Sequence, residues 1–216
     1  GVVLVISPWN FPLAIPCGML SAALVTGNCA VLKPAGQSSY VASLLFEALL
    51  EGGLPPEAAA FIPSKGSEVG PFLAKHSGIS TIVFTGSKEV GLSLIEASAQ
   101  HHPHAEHMTR VIAEMGGKNA IIVDDDADLD EAVKGVVYSA FGYSGQKCSA
   151  CSRVYIVGGQ YERFVERLRE SVRSIYVGPA SDPKTLVGPV IDSHAKSEIS
   201  AIIARAKSDC TIIAEG

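Results

Sequence analysis

The sequence predicts a doubly wound α/β fold, a parallel sheet with helices on both faces. Two observations predict it. Short β-branched runs alternate with longer helix-like stretches, in the order β-α-β-α-β-α-β-α over the first hundred residues. The first run, residues 2–6 (VVLVI), is apolar at every position, as in a parallel strand buried on both faces.

The elements follow in order. After the first strand, residues 13–25 read as a mostly apolar helix, stopped by Gly27-Asn28. Residues 30–32 are a second strand, ended by Lys33-Pro34. Ser38 or Ser39 caps a helix to about residue 50, and Gly52-Gly53 stops it. Residues 60–62 are a third strand, and Ser67 caps a short helix to Lys75. Residues 81–84 are a fourth strand, followed by a helix capped by Ser87 and running to about Ser98. Ligands of such sheets bind beyond the carboxyl ends of the strands. The loops to watch are therefore residues 7–12, 33–38, 64–67 and 85–87.

Residues 100–107 (QHHPHAEH) are polar and helix-breaking. Beyond them come strand 111–113, a turn at 114–117, strand 120–123 and helix 128–139. A glycine-containing loop at 144–149, strand 154–157 and helices 161–175 and 193–207 complete the chain. A domain boundary is placed at Gly116-Gly117, giving domains 1–116 and 117–216.

Composition narrows the function. Of 216 residues, 47% are apolar and 18% charged, which excludes a disordered chain. The net charge of −5 offers no basic stripe for phosphates, so no nucleic acid partner is expected. Five cysteines, an odd number in a chain of this size, point to a reducing compartment, the cytoplasm or the mitochondrial matrix. Residues 1–32 carry no charge, but Pro8, Pro12, Pro16, Gly18 and Gly27 interrupt them, so no membrane span is expected. No basic segment precedes them, so neither is a signal peptide. The chain opens inside a strand and stops just after another, as a piece of a longer protein would.

Several residues could carry chemistry. Cys148 lies in GQKCSAC (145–151). A free cysteine is only a few per cent thiolate at neutral pH, and a helix start or a cation such as Lys147 could raise that fraction. The alternative is a small buried thiol. Cys148-x-x-Cys151 also spells a redox or half-zinc motif, but zinc needs about four ligands and no second pair exists. Glu114 is either a partly desolvated general base or a strand-end glutamate facing water. Asn10 could donate to an oxyanion, cap the next helix, or both. Lys33 could reach a ribose hydroxyl or phosphate, or snorkel to the surface. Gly86-Ser87 opens a helix, a start suited to a pyrophosphate, although Gly86 to Gly91 spells neither a GxGxxG fingerprint nor a P-loop. The histidines at 101, 102, 104 and 107 are either metal ligands or an exposed insertion, the latter favoured. Asp124, Asp125, Asp126 and Asp128 lack the calcium-loop spacing and read as a solvated turn that caps a helix. No metal site is expected.

Together these segments are more specific than any one alone. SPWNFP (7–12), LKPA (32–35), FTGS (84–87), EMGGK (114–118) and GQKCSACSR (145–153) resemble the aldehyde dehydrogenase superfamily in order and in spacing. Asn10 to Lys33 is 23 residues, Lys33 to Ser87 is 54, and Glu114 to Cys148 is 34. The resemblance covers essentially the whole chain. Within the superfamily the sequence is similar to the 1-pyrroline-5-carboxylate dehydrogenases, on GQKCSACSR, AEMGGKNA and the long connection before Glu114.

The resemblance implies a Rossmann-like cofactor domain followed by part of the α/β catalytic domain. It implies NAD as cofactor, with NADP possible, and a small aldehyde as substrate, L-glutamate γ-semialdehyde foremost. Cys148 would be the nucleophile, Asn10 and the Cys148 backbone N–H the oxyanion donors, and Glu114 the base that activates water. Lys33 would bind the adenosine ribose, Gly66 would lie near the adenine, and Phe84, Gly86 and Ser87 would line the pyrophosphate site. Ser149 would contact the substrate carboxylate. The parent would be a homo-oligomer or part of a bifunctional proline-utilisation protein. Two departures stand out. Gly36 replaces a glutamate that many members place three residues after the ribose lysine, which leaves NAD against NADP open. Met19 replaces a lysine found nine residues after the asparagine, so no proton relay through that position is expected. Superfamily members are more than twice this length, so the isolated piece is expected to be weakly active or inactive.

Overall fold

The structure is a computed structural model in which residues 1–100, 104 and 108–215 are described. Of the histidine-rich run, positions 101–103 and 105–107 lie outside the described residues. The chain forms two compact units, Gly1–Gly116 and Gly117–Gly216.

The first unit is built on five parallel strands. They are β1 (Val2–Ile6), β2 (Cys29–Lys33), β3 (Ala59–Phe61), β4 (Ile79–Gly86) and β5 (Arg110–Met115), in spatial order β3-β2-β1-β4-β5. The order reverses between β1 and β4, the switch point where doubly wound sheets open a crevice at their carboxyl ends. Four helices cover the sheet: α1 (Ala14–Val25), α2 (Ser39–Glu51), α3 (Gly66–Ala74) and α4 (Lys88–Ser98).

The alternation of β1 explains the two-sided burial. Val3 and Val5 face one core with Leu20 and Ala23 of α1 and Ala42 and Leu45 of α2. Leu4 and Ile6 face the other, with Ala74 of α3, Leu94 of α4, and Ile82 and Phe84 of β4. Each fully buried side chain of this size contributes about 1.5–3 kcal/mol. A central strand with no polar face is thus what the topology requires.

Local chemistry departs from the sequence expectations at several points. Helix α1 is preceded by Leu13 at its N-cap position, so Asn10 is not the cap. A 3₁₀ turn (Gly36–Ser38) leads into α2, and Ser38 makes no side-chain cap. The Ser39 hydroxyl instead donates back to the carbonyl of Ala35, 3.0 Å away. Ser67 lies inside α3, which starts one residue earlier and has no side-chain cap. Glu114 and Met115 belong to β5, paired with Thr85 and Gly86, so the turn begins only at Gly116. By contrast, Ser87 caps α4 as expected, its hydroxyl accepting from Val90 N at 3.3 Å.

The second unit pairs β6 (Asn119–Val123) with β7 (Cys151–Ile156) in parallel. Helices α5 (Leu129–Phe141) and α6 (Tyr161–Arg173) pack on it through Val123, Val133, Val136, Val137 and Phe164. Helix α7 (Ser193–Asp209) follows and buries none of its residues. Asp128 caps α5 by accepting from the backbone N–H groups of Asp130 and Glu131.

Candidate active site

In the first unit the candidate residues gather along the carboxyl edge of the sheet. Lys33 pairs with Ile6, Ile6 with Phe84, and Phe84 with Ala113, so these four share one cross-strand row. Lys33 and Phe84 are therefore two strand spacings apart, about 10 Å. Glu114 stands one residue beyond the row, and Gly86-Ser87 leads from the same edge into α4. Asn10 lies in the loop that leaves β1, half-buried and with a partner of its own.

Lys33 is 4% exposed, which removes the snorkelling alternative. Its ammonium donates to the carbonyl of Pro34 at 3.0 Å. Burial lowers its pKa from the ordinary 10.5, because a charged amine is poorly solvated there. Gly66, the first residue of α3, lies against it: a Cβ there would be 3.6 Å from the lysine Nζ.

Gly86 is demanded by its neighbour. A Cβ at this position would lie 2.6 Å from Cζ of Phe84. Phe84 itself is packed in the core, 3% exposed, so its ring backs the glycine. The result is a bare backbone stretch running into the N-terminus of an 11-residue helix, where unpaired N–H groups and the helix dipole favour an anion. Glu114 is exposed, the water-facing alternative rather than the desolvated one.

In the second unit, Cys148 and Ser149 sit in an exposed turn between α5 and β7. The turn is closed by a hydrogen bond from Ala150 N to Lys147 O, 3.1 Å. Cys148 is thus not the buried thiol of the alternative reading. Cys151 is the buried one, its thiol donating to the carbonyl of Arg153 at 3.3 Å. The Lys147 ammonium is engaged with the last turn of α5, 3.4 Å from Tyr138 O and 5.3 Å from that ring's centre.

Just before the turn the backbone is left-handed at three consecutive residues, with φ of 58° at Tyr143, 58° at Ser144 and 70° at Gly145. Two hydrogen bonds tie this stretch to a distant segment. Ser144 Oγ donates to Gly188 O at 2.7 Å, and Ile191 N donates to Gln146 Oε1 at 2.8 Å. One residue that the sequence did not single out is Asn119, whose amide reaches the carbonyls of Cys148 and Ala150. No spacing rule connects positions 29 residues apart in different elements, so only the fold could disclose it.

Elsewhere in this unit the carboxylates of Asp124, Asp125 and Asp126 approach within 4.8 Å of one another, all exposed. An open groove of about 680 Å³ runs along α5 and α6 past Val133, Val137, Arg167 and Leu186, and none of the candidate residues line it. Among the described residues no helix is long and apolar enough to cross a membrane.

Residues 1–216 match the aldehyde dehydrogenase family throughout. The chain belongs to that family. The 1-pyrroline-5-carboxylate dehydrogenase of Bacillus cytotoxicus is 47% identical over all 216 residues, which span 42% of that protein. A proline utilization A structure from Bdellovibrio bacteriovorus superimposes with a TM-score of 0.97 at 51% identity, covering 99% of this chain and 22% of that one. A Thermus 1-pyrroline-5-carboxylate dehydrogenase solved with bound NAD superimposes with a TM-score of 0.93 at 42% identity, covering 96% of this chain and 40% of that one. The chain thus spans less than half the length of these aldehyde dehydrogenase relatives.

Proposed function

We propose that this chain is part of an NAD-dependent dehydrogenase that oxidises L-glutamate γ-semialdehyde to L-glutamate, the last step from proline to glutamate. The observation that carries the reading is the exposed Cys148 thiol in its fixed turn, within a chain 47% identical to a 1-pyrroline-5-carboxylate dehydrogenase. Domain 1–116 is read as the cofactor domain and 117–216 as part of the catalytic domain. The relatives include a stand-alone dehydrogenase and proline utilization A, so the parent is a homo-oligomeric enzyme or a portion of a bifunctional one. A nucleophilic thiol that must stay reduced fits the cytoplasm.

The first unit suits a dinucleotide. Lys33 offers N–H donors to ribose hydroxyls, and Gly66 leaves room beside that ammonium. Bare Gly86 and the N-terminus after Ser87 would receive the pyrophosphate. NAD, when bound, supplies the hydride acceptor, and NADP remains an alternative because Gly36 offers no carboxylate to either.

The chain's own residues carry the rest. Cys148 Sγ attacks the aldehyde carbon and forms a thiohemiacetal. The Asn10 amide and the Cys148 backbone N–H donate to the oxyanion, each such donor being worth about 3 kcal/mol of barrier. Once the carbon has been oxidised it remains as a thioester on Cys148. Glu114 takes a proton from water, which attacks that thioester, breaks the carbon–sulfur bond and releases the carboxylic acid and the Cys148 thiolate. Solvent access to Glu114 suits this role, because its partner is water. Ser149 would hydrogen-bond the substrate carboxylate.

The test is turnover of L-glutamate γ-semialdehyde by the full-length enzyme with NAD and, separately, NADP, followed by absorbance of the reduced nicotinamide. Cys148→Ser is expected to abolish turnover and Cys151→Ser to retain it. Undiminished activity in Cys148→Ser, or a stronger preference for an unrelated aldehyde, overturns the reading.

A further inference from the structure

Asn119 opens β6, and its backbone pairs with Cys151, the first residue of β7. The register then slips, because Ala120 pairs with Arg153 and passes over Ser152. Regular pairing therefore ends at the point where the thiol-bearing turn begins. The Asn119 side chain continues it. Its Nδ2 donates to Cys148 O at 2.7 Å and to Ala150 O at 3.2 Å. An amide nitrogen has two protons, and the two carbonyls take both.

The consequence is geometric. A carbonyl lies in the plane of its peptide, so holding the Cys148 oxygen fixes ψ of Cys148, and holding the Ala150 oxygen fixes the far end of the turn. Between those two anchors lies Ser149. Neighbouring residues support the arrangement. Gly117 lies beside the amide, where a Cβ would make only ordinary contact, 3.4 Å from Asn119 Oδ1. The Arg153 guanidinium donates to the carbonyl of Lys118, pinning the segment just before Asn119. On the other flank, the Cys151 N–H donates to Ser139 Oγ at 3.2 Å.

We propose that Asn119 is a positioning residue for the reaction of Cys148. Its side-chain amide sets the orientation of the Cys148–Ser149 and Ala150–Cys151 peptides, and hence the direction in which the turn presents the thiol. This rests on Cys148 being the nucleophile. Asparagine is required because the turn presents two acceptors. A hydroxyl supplies one proton, and a carboxylate supplies none while setting its charge against two carbonyl oxygens. The bond to Cys148 is exposed, the bond to Ala150 is part-buried, and both are neutral, so their role is orientation more than stability.

The experiment compares Asn119→Asp, Asn119→Ala and Asn119→Ser in the full-length enzyme. It reads kcat, KM for NAD, the urea midpoint, and hydrogen exchange of the peptide spanning residues 147–151. A misplacement of about 1 Å at a reacting group costs on the order of 100-fold, so Asn119→Ala is expected to lower kcat about that much. Asn119→Asp should be lower still and Asn119→Ser intermediate. KM for NAD and the urea midpoint should hold, while exchange over residues 147–151 quickens. Wild-type kcat in Asn119→Asp overturns the proposal, whether or not exchange changes. A parallel loss of kcat, NAD affinity and urea midpoint also overturns it, by showing a general structural role. Cys148→Ser separates the two readings: full activity there sinks the nucleophile, and the exchange data still report whether Asn119 holds the turn.

Discussion

The Phe84 ring occupies the space in which a side chain at Gly86 would begin, with Cζ 2.6 Å from the place of a Cβ. The ring cannot swing aside, because it is 3% exposed and wedged among Leu4, Ile6 and Leu94. Gly86→Ala is therefore expected to destabilise the first unit by about 1–3 kcal/mol, the usual cost of overpacking. Urea denaturation would measure it. Phe84→Leu in the same chain should return part of the loss, and no rescue would contradict the steric account.

Gly91 offers a contrast. A Cβ there would lie 2.6 Å from the Met115 sulfur, the far end of a flexible side chain, although Phe84 Cε1 is also near at 3.2 Å. Alanine also suits a helix interior better than glycine by about 0.5–1 kcal/mol. Gly91→Ala should thus cost clearly less than Gly86→Ala in the same denaturation series. Equal losses would mean that Met115 cannot yield.

Lys33 predicts a pH dependence. Its pKa in the folded chain is lowered below 10.5 by burial, so between the two values the unfolded chain binds more protons than the folded one. Stability from this group therefore rises with pH through the window just below 10.5 and is lowest where the amine is charged in both states. Lys33→Met has no such gain. The stability of the methionine variant relative to the parent should fall as pH climbs through that window. A constant difference would show that burial of the charge carries no penalty.

Two caps should behave alike despite lying in different units. Ser87→Ala removes the acceptor for Val90 N, and Asp128→Ala removes the acceptor for Asp130 N and Glu131 N. Each is expected to cost about 1 kcal/mol, read from the urea midpoint. Neutral substitutions would show that water replaces the caps fully.

Thiol labelling separates exposure from reactivity. Cys29, Cys148 and Cys210 are all exposed, whereas Cys151 is buried. Iodoacetamide should modify Cys148 at least about tenfold faster than Cys29 or Cys210 in the full-length enzyme, because the proposed reaction requires this thiol to attack an electrophilic carbon. Peptide mapping by mass spectrometry gives the three rates. Equal rates would leave only accessibility.

Much of the fold was legible because it is written in local pattern. The apolar run of β1 has no polar face, which only a two-sided burial explains, and Ser87 announces α4 by capping chemistry that acts within three residues. The misplaced boundaries are those set by non-local partners. Ser67 has the right chemistry for a cap, yet α3 begins before it, beside Lys33. Glu114 sits next to glycines that suggest a turn, but pairing with Thr85 draws it into the strand. Motif spacing pointed to Cys148, Lys33 and Gly86, and the structure places Cys148 in an exposed turn and Lys33 and Gly86 at the carboxyl edge of the sheet. The burial of the Phe84 ring was not legible, because its partners Leu4, Ile6 and Leu94 lie far away in sequence.

The left-handed residues ahead of Cys148 carry one more implication. Tyr143 and Ser144 each store about 1–3 kcal/mol in a conformation that only surrounding contacts can sustain. Two of those contacts come from Gly188 and Ile191, more than forty positions downstream. Any polypeptide cut short ahead of that strap would leave the kink free to relax, so during synthesis the turn that carries Cys148 takes its final form only after the ribosome has passed residue 191.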